Sequence, residues 1–277
     1  MNKYKLTEET TKFDSHILHR IEALTDFGDV KKGDKGGWVE NESNLSQEGD
    51  CLVYDEACVY GNAKVYGNTH VYNEACVYGD ALVHDNVCVA GNARVYGDVW
   101  VYGDAQVYGD AQVYGNARVG GNALVYDNAQ VYGDTQVYGS AQVYGNARVY
   151  GTAWVYGDAL VYDNAQVYNY AHVYGDVLVH GNAQVCGVAT VEGKAEICGD
   201  AVVEKMGDCI TFQNWWSSGR YFTYTKSNGM WKVGCFHGTG EELVAKAYAD
   251  SKKKGKCYEA TVNYVKTLIK IWDRNMN

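Results

Sequence analysis

The sequence lacks the signals of a membrane-spanning or exported chain. No run of about 18 apolar residues occurs in its 277 residues, so no transmembrane helix is expected. The first residues, from Met1 to Leu6, are largely polar and contain no apolar signal-peptide core. We therefore expect a cytoplasmic protein without membrane contacts, and the length allows one or two domains.

Metal-binding and disulfide patterns are also missing. The nine cysteines form no Cys-x-x-Cys pair, and no His/Cys cluster has ligand spacing, so no metal site is expected. Cys58 and Cys76 are 18 residues apart, and a fold with that period would bring them close enough for a disulfide. Because an unsecreted chain keeps its thiols reduced, we expect free cysteines.

Basic residues are scarce in the middle of the chain. Residues 53–204 carry 5 basic and 17 acidic residues (net −12), residues 1–52 carry 7 and 11 (net −4), and residues 205–277 carry 12 and 6 (net +6). An acidic surface repels phosphate groups, so direct nucleic-acid binding by the middle segment is not expected. The C-terminal segment is the candidate for binding anions.

A six-residue repeat fills this acidic segment, in 26 consecutive units from Val53 to Val203 without an insertion. The first position is always aliphatic, the fifth is small, and the third, from Asp55 to Gly199, is only Gly, Asp or Asn. These three residues tolerate positive φ, so the third position predicts a corner between short strands. In Ala111-Gln112-Val113-Tyr114, alternation would turn Ala111 and Val113 inward and Gln112 and Tyr114 outward.

A corner every six residues predicts a β-solenoid rather than a hairpin meander. Three hexads per coil form a triangular prism of 18 residues per coil, with roughly eight to nine coils and a length of ~40 Å at ~4.8 Å per coil. The pattern, an aliphatic residue followed four places later by a small one, resembles the hexapeptide-repeat, left-handed parallel β-helix proteins. This resemblance implies a mainly β, left-handed triangular helix. The fold hosts acyltransferases, carbonic anhydrases and non-catalytic proteins alike.

The segments Gly33–Val39 and Leu45–Cys51 resemble the start of a narrower group. Its members are uncharacterised bacterial and phage-borne proteins, often labelled transferases or polymer-forming. The resemblance implies a phage or prophage association and interference with a host factor.

Residues 1–52 are expected to cap the solenoid, because the first coil would otherwise expose unpaired strand edges and an open core. Strands are predicted at Tyr4–Thr7 and His16–Ile21, and a loop from Asp26 to Gly37. His16 and His19 have the chemistry of ligands, but a structural role is expected.

Tyrosine occupies the second position in 18 of the 25 hexads from Tyr54 to Cys198. Like positions stack every 18 residues, which predicts aromatic columns that either shield the backbone or form an interface to another subunit or a flat ligand. Asn and Asp at the fourth position predict stabilising side-chain ladders. The predicted interface column is Tyr60, Tyr78, Tyr96, Tyr114, Tyr132, Tyr150 and Tyr168.

Residues 205–277 predict a small βββαα domain. The expected strands are Cys209–Phe212, Arg220–Thr225 and Met230–Phe236, and the expected helices are Gly240–Lys254, ending at Gly255, and Tyr258–Trp272. Aromatic planes with an arginine suit a nucleotide base and phosphate, whereas the same aromatics could form a mini-core. The candidate ligand site comprises Trp215, Trp216, Arg220, Tyr224, Trp231, His237 and Thr239.

Catalytic signals are weak. The repeat contains four histidines, all at outward positions, and no loop leaves the prism to wall a pocket. No catalytic residue and no cofactor are predicted, since no nucleophile or base has a positioning partner. These histidines are His70, His84, His172 and His180.

We therefore expect a non-catalytic scaffold or binding protein. Homo-oligomerisation through a tyrosine face is expected, and the C-terminal domain or a solenoid face would recognise a host protein or a small anionic ligand. One route is sequestration of an anionic signal, and another is display of an acidic, nucleic-acid-like surface. The alternatives are a hexapeptide-type acyltransferase and a polymer-forming rod.

Overall fold

The hexads form the three sides of a parallel β-solenoid in the computed structural model, which describes residues 2–216 and 218–274. Each strand pairs in register with the strand 18 residues later, as in Val107 with Val125. The amide of Gln112, for example, donates to the carbonyl of Ala129 at 2.9 Å. The predicted mainly β solenoid with 18-residue coils is confirmed, and its left-handed sense stays a prediction.

The three sides are named A, B and C. Side A consists of Cys58–Val59, Cys76–Gly79, Arg94–Gly97, Gln112–Gly115, Gln130–Gly133, Arg148–Val149, Gln166–Val167, Gln184–Val185 and Val202–Val203. Side B consists of Leu52–Val53, His70–Val71, Cys88–Val89, Gln106–Val107, Leu124–Val125, Gln142–Val143, Leu160–Val161, Leu178–Val179 and Glu196–Ile197. Side C consists of Lys64–Val65, Leu82–Val83, Trp100–Val101, Arg118–Val119, Gln136–Val137, Trp154–Gly157, His172–Gly175 and Thr190–Val191.

The corners have the predicted backbone conformation. Every glycine at the third position has positive φ, and so does every residue that replaces it there. The non-glycine corners have φ between 50° and 66°, inside the left-handed region that Asn and Asp tolerate. They are Asp55, Asn73, Asp85, Asp127, Asp163 and Asn169.

The core is a column of alternating valine and alanine side chains. Val107, Ala111 and Val113 are fully buried, as are their counterparts in the neighbouring coils. Thr69 and Thr135 occupy the small fifth position, and their buried hydroxyl groups have no hydrogen-bond partner. The inward-facing pair of each strand therefore builds the solenoid interior, as the alternation predicts.

The outward tyrosines stack. Along side A, the rings of the column from Tyr60 to Tyr168 are 4.8–5.1 Å apart and within 4° of parallel. The predicted fourth-position ladder is present in part: the Asn92 amide donates to Asp110 at 2.8 Å, and the Asn164 amide donates to Asn182 at 3.3 Å. Each ring face is covered by its neighbour, which leaves mainly ring edges exposed.

The N-terminal segment extends side A with antiparallel strands. Strands β1 (Tyr4–Phe13), β2 (His16–Ala23) and β3 (Lys35–Val39) precede a short 3-10 helix at Glu42–Asn44, and β3 pairs with Cys58–Val59. Lys3, 5% exposed, donates its ammonium to the carbonyls of Gly49 and Cys51 at 3.1 and 2.7 Å. The predicted Asp26–Gly37 loop was too long, because Lys35–Val39 pairs with β2.

The C-terminal segment contains four antiparallel strands and two helices. The strands are β4 (Cys209–Gln213), β5 (Tyr221–Thr225), β6 (Met230–Val233) and β7 (Phe236–Gly238). The helices are α1 (Gly240–Asp250) and α2 (Lys252–Arg274). Phe222, Trp231, Leu243, Val262 and Val265 form the buried core of this domain.

Two element boundaries in this segment were predicted wrongly. The expected strand Met230–Phe236 is divided, because Gly234 has φ +57° and turns the chain between β6 and β7. Gly255 does not end α1 but lies inside α2, where an added Cβ would be 2.3 Å from the Tyr248 ring. The helix break is at Ser251, whose hydroxyl accepts from the Lys254 amide at 3.2 Å. Gly255 thus serves close helix packing rather than termination.

The C-terminal domain also caps the last coil. The backbone amides of Glu196 and Val202 have no following coil, and they donate to Thr223 Oγ1 at 3.0 Å and Ser227 Oγ at 2.7 Å. These hydrogen bonds satisfy donors that would otherwise be left at a sheet edge. Both ends of the solenoid are therefore covered by other parts of the chain.

Candidate functional site

The most exposed aromatic surface lies on the C-terminal domain, in a groove between the loop after β4 and helix α2. The groove has a volume of about 530 Å³ and a largely apolar lining. Trp215 is 85% exposed at its rim and Tyr264 is 60% exposed on the opposite wall. We call this feature the tryptophan groove, lined by Phe212, Gln213, Trp215, Trp216, Cys257, Ala260, Thr261 and Tyr264.

Local hydrogen bonds fix the loop after β4 that carries Trp215 and Trp216, here called the tryptophan loop. The Asn214 amide donates to the Arg220 carbonyl at 2.7 Å, and the Gln213 side chain donates to the Gly219 carbonyl at 3.0 Å. The loop closes on itself, and the ring of Trp216 packs 6.2 Å from that of Phe222 in the core. Trp215, in edge contact with Trp216, projects to the surface. The buried indole N–H of Trp216 has no acceptor within the described chain.

The structure distributes the predicted ligand-site residues over several places. Trp215 and Trp216 line the tryptophan groove. Trp231 is buried in the domain core, with Tyr224 packed 5.1 Å from its ring. The predicted residues therefore do not form one cluster, and ligand binding by them stays a prediction.

The other three predicted residues lie elsewhere in the domain. Arg220 lines a small cleft beside Lys246, Asp250 and Lys254. His237 approaches the solenoid corner at Gly199, and Thr239 caps α1 by accepting from the Glu242 amide at 3.3 Å.

The cleft at Arg220 already contains a carboxylate. Lys254 pairs with Asp250, and the pKa of that carboxyl is lowered by Lys254 first and then by Lys246 and Arg220. The start of α1, where a helix can bind an anion, is likewise filled, since the Glu242 carboxylate accepts from the Thr239 backbone amide at 2.8 Å. The domain's own carboxylates therefore compete with an external anion at both places.

A charged cluster joins the solenoid to the C-terminal domain. The Glu196 carboxylate lies 3.0 Å from His180 Nε2 and 2.9 Å from Lys232 Nζ. The side chains of Cys198 and Glu196 raise the pKa of His180 to about 9, so its imidazole is charged at neutral pH. His180 also stacks on Tyr162 at 4.8 Å. A charged, paired imidazole is poorly suited to act as a general base.

His16, His19 and the cysteines have contacts that fit a structural role. His16 Nδ1 is 2.9 Å from Glu40, and His19 Nδ1 is 3.0 Å from the Thr7 carbonyl. All nine cysteines are free in the structure, and Cys58 and Cys76 are buried beside Leu18 and Trp38. Among the described residues, no group of three or more His, Cys, Asp or Glu side chains is arranged to hold a metal ion.

The predicted interface column on side A is only partly accessible. Tyr60 is buried against Phe13 and His16, which belong to the N-terminal hairpin formed by β1 and β2. The other rings of the column are half-buried by stacking. The hydroxyls of Tyr150 and Tyr168 donate to Gln166 and Gln184 of the following coils at 3.1 and 2.9 Å. These contacts support the shielding interpretation, and subunit contact through this column stays a prediction.

Sequence reasoning missed the α2 wall of the groove. Counting at helical spacing gives α2 one apolar face, of which Val262 and Val265 are buried. The face consists of Val262, Val265, Leu268, Ile269 and Trp272. A second stripe at helical spacing contains Cys257, Ala260 and Tyr264, which line the groove, and Leu268 and Ile271, which follow on the same side of the helix. The same counting could have found it. No helix in the described part of the chain has the length and apolarity needed to cross a membrane.

Comparison with known proteins agrees with the fold. The family model described as the YdcK beta solenoid repeat matches residues 111–126, 117–133, 141–157 and 153–169. A protein of Escherichia coli (strain K12) named as the uncharacterized acetyltransferase YdcK is 41% identical over 64 residues. That match spans 20% of this chain and 20% of the relative. These partial matches and the three parallel sheets fit a parallel β-solenoid built from hexapeptide-like repeats.

Proposed function

We propose that this protein is a non-catalytic binding scaffold in which the solenoid is a rigid support and the C-terminal domain makes the specific contact. The observation that carries the proposal is the tryptophan groove. A domain with its own packed core has no structural need to leave Trp215 and Tyr264 so exposed beside a concave apolar surface. Exposed patches of this kind mark interaction sites in monomeric proteins.

The solenoid supports this proposal by its regularity. Its hexads run from Val53 to Val203 without an insertion, so no loop can fold back to enclose a substrate along the faces. Stacked rings, side-chain ladders and caps at both ends resist bending and fraying. Such a rod holds its terminal domain at a fixed distance from the N-terminal hairpin.

The expected biological setting is binding of a host factor by a phage- or prophage-associated protein. The acidic solenoid and the basic C-terminal domain would give such a partner two oppositely charged surfaces. Residence in the host cytoplasm and self-association through a tyrosine face are parts of the same proposal.

Acyl transfer is the second candidate, and the name of the similar E. coli protein is the observation in its favour. A histidine at the junction, His180, would have to act while paired with Glu196. Titration with acetyl-coenzyme A tests this candidate directly. Saturable binding along the solenoid would favour it over the scaffold.

A polymer-forming rod fits the structure less well. The hydrogen bonds from Glu196 and Val202 to the C-terminal domain block stacking of one rod onto the end of another. Light scattering across a concentration series would show growing filaments if this candidate were correct, and a fixed mass if it were not.

Quantitative affinity capture tests the proposed binding role. The full-length protein and a Trp215→Ala, Tyr264→Ala variant are immobilised and exposed to the same bacterial extract. Tyr170→Ala, an exposed tyrosine on the solenoid, is the matched control. The proposal predicts a partner that the original protein and the control retain and the double variant loses. Equal recovery on all three proteins, or no enrichment, would contradict it.

A further inference from the structure

The tryptophan groove continues along α2 as an apolar stripe. Tyr264 is followed at four and seven residues by Leu268 and Ile271, which lie on the same side of the helix. Ile271 is 55% exposed and Leu268 is 37% exposed. The distance from Cys257 to Ile271 along the helix is about 21 Å at ~1.5 Å per residue. This length fits a peptide segment better than a small ligand.

The end of the stripe nearest the tryptophan loop is basic. Lys253 precedes Cys257 by one helical turn and is in line with the stripe, and Lys256 borders it. Both side chains are exposed, and neither forms an ion pair with another described side chain. By contrast, Lys254 and Lys266 are paired with Asp250 and Glu241.

No carboxylate of α2 neutralises this face among the described side chains. Glu259 is on the other side of the helix, where it accepts from the Tyr248 hydroxyl at 2.6 Å. The groove therefore combines an apolar floor with two uncompensated cations at one end.

From this charge pattern we infer that the tryptophan groove and the stripe bind a peptide segment of a partner protein whose large apolar side chains are flanked by carboxylates. Apolar anchors would fill the groove between Trp215 and Tyr264, and acidic residues would face Lys253 and Lys256. This inference rests on the proposed function and names the chemistry of the partner.

Two matched pools of 15-residue synthetic peptides provide the probe. Both pools carry Leu, Phe or Trp at i, i+4 and i+7, and the remaining positions are Glu, Gln and Ala in one pool and Lys, Gln and Ala in the other. Fluorescence polarisation with the full-length protein should show saturable binding of the acidic pool, at least roughly tenfold tighter than that of the basic pool.

Single substitutions locate the site. Tyr264→Ala should weaken binding of the acidic pool about tenfold. Lys253→Glu should weaken the acidic pool, whereas Lys252→Glu should have little effect, because Lys252 is exposed but lies off the stripe. Circular dichroism of each variant checks that the domain remains folded.

Three results would overturn the inference. Equal binding of both pools would remove the role of charge, and binding that survives Tyr264→Ala would place the peptides elsewhere. A concentration-dependent dimer that Tyr264→Ala abolishes would make a second copy the occupant. If affinity capture still yields a partner in these cases, the proposed binding function stands and only this partner chemistry fails.

Discussion

Substitution of a corner glycine tests the physical basis of the repeat. Gly109 has φ +74°, and a Cβ at this position would lie 2.9 Å from the Asp127 amide nitrogen and 3.0 Å from its Cα. The left-handed conformation costs an L-residue about 1–2 kcal/mol, from which the reduced freedom of the unfolded chain recovers about 0.4–1 kcal/mol. Contact with the next coil adds to the cost. Gly109→Ala should therefore destabilise the protein by about 1–3 kcal/mol.

The chain itself supplies the comparison. Corners such as Asp127 have a somewhat smaller φ, 58°, so the backbone can adjust to a side chain that tolerates this region. Gly109→Asn should consequently cost less than Gly109→Ala, and Gly109→Val should cost most, since a β-branched residue is strongly disfavoured there. Gln106→Ala, an exposed strand position in the same coil, is the control.

Urea unfolding and amide exchange of the neighbouring coils measure these costs. The solenoid is a linear array, so the loss should appear as faster exchange in the coils that contact residue 109 before it appears in distant coils. If Gly109→Val is as stable as Gly109→Asn, the corners do not depend on the left-handed conformation, and the interpretation of the third position is refuted.

Three further substitutions test other contacts. Thr135→Val removes a buried hydroxyl without a partner and should stabilise the fold by about 1 kcal/mol, visible as a higher Tm; a lower Tm would show that the hydroxyl is satisfied. Thr223→Val removes the acceptor of the Glu196 amide and should destabilise by about 1–2 kcal/mol, with faster exchange of that amide; unchanged exchange would contradict the capping role. The raised pKa of His180, about 9, means that its charged form stabilises the fold fully below pH 6.5 and loses this effect as the pH rises towards 9. His180→Gln should flatten that dependence in urea unfolding across this range, and an unchanged slope would refute the assignment.

The solenoid could be predicted from the sequence because its determinants are local. A corner needs Gly, Asp or Asn at one position, and an interior needs Val and Ala at two others, so six residues specify the unit and repetition specifies the stacking. The strand alternation and positive-φ corners predicted from these positions are both confirmed.

The C-terminal domain was less predictable because its boundaries depend on contacts distant in sequence. Glycine commonly ends a helix, but at Gly255 the Tyr248 ring packs against the Cα atom and α2 continues. Trp215 and Arg220 are close in sequence, yet the closed loop turns one towards α2 and the other towards Asp250. Proximity in the sequence therefore does not place these two side chains on one surface.

The sequence pattern also did not predict that the C-terminal domain caps the last coil of the solenoid. Thr223 and Ser227 are ordinary strand and turn residues, and only the position of the last coil makes their hydroxyls acceptors for Glu196 and Val202. The same packing places Lys232 beside Glu196 and His180. Opposite net charges favour contact between the C-terminal segment and the solenoid, but they do not specify which pairs form.

Hydrogen-exchange mass spectrometry on the full-length protein, with and without the partner recovered by affinity capture, tests the central claim most directly. The proposed binding role predicts slowed exchange at residues 212–216 and 257–271, with the solenoid coils unchanged. Protection along the tyrosine column of side A, or no protection in the C-terminal domain, would contradict it and make the solenoid face the binding surface.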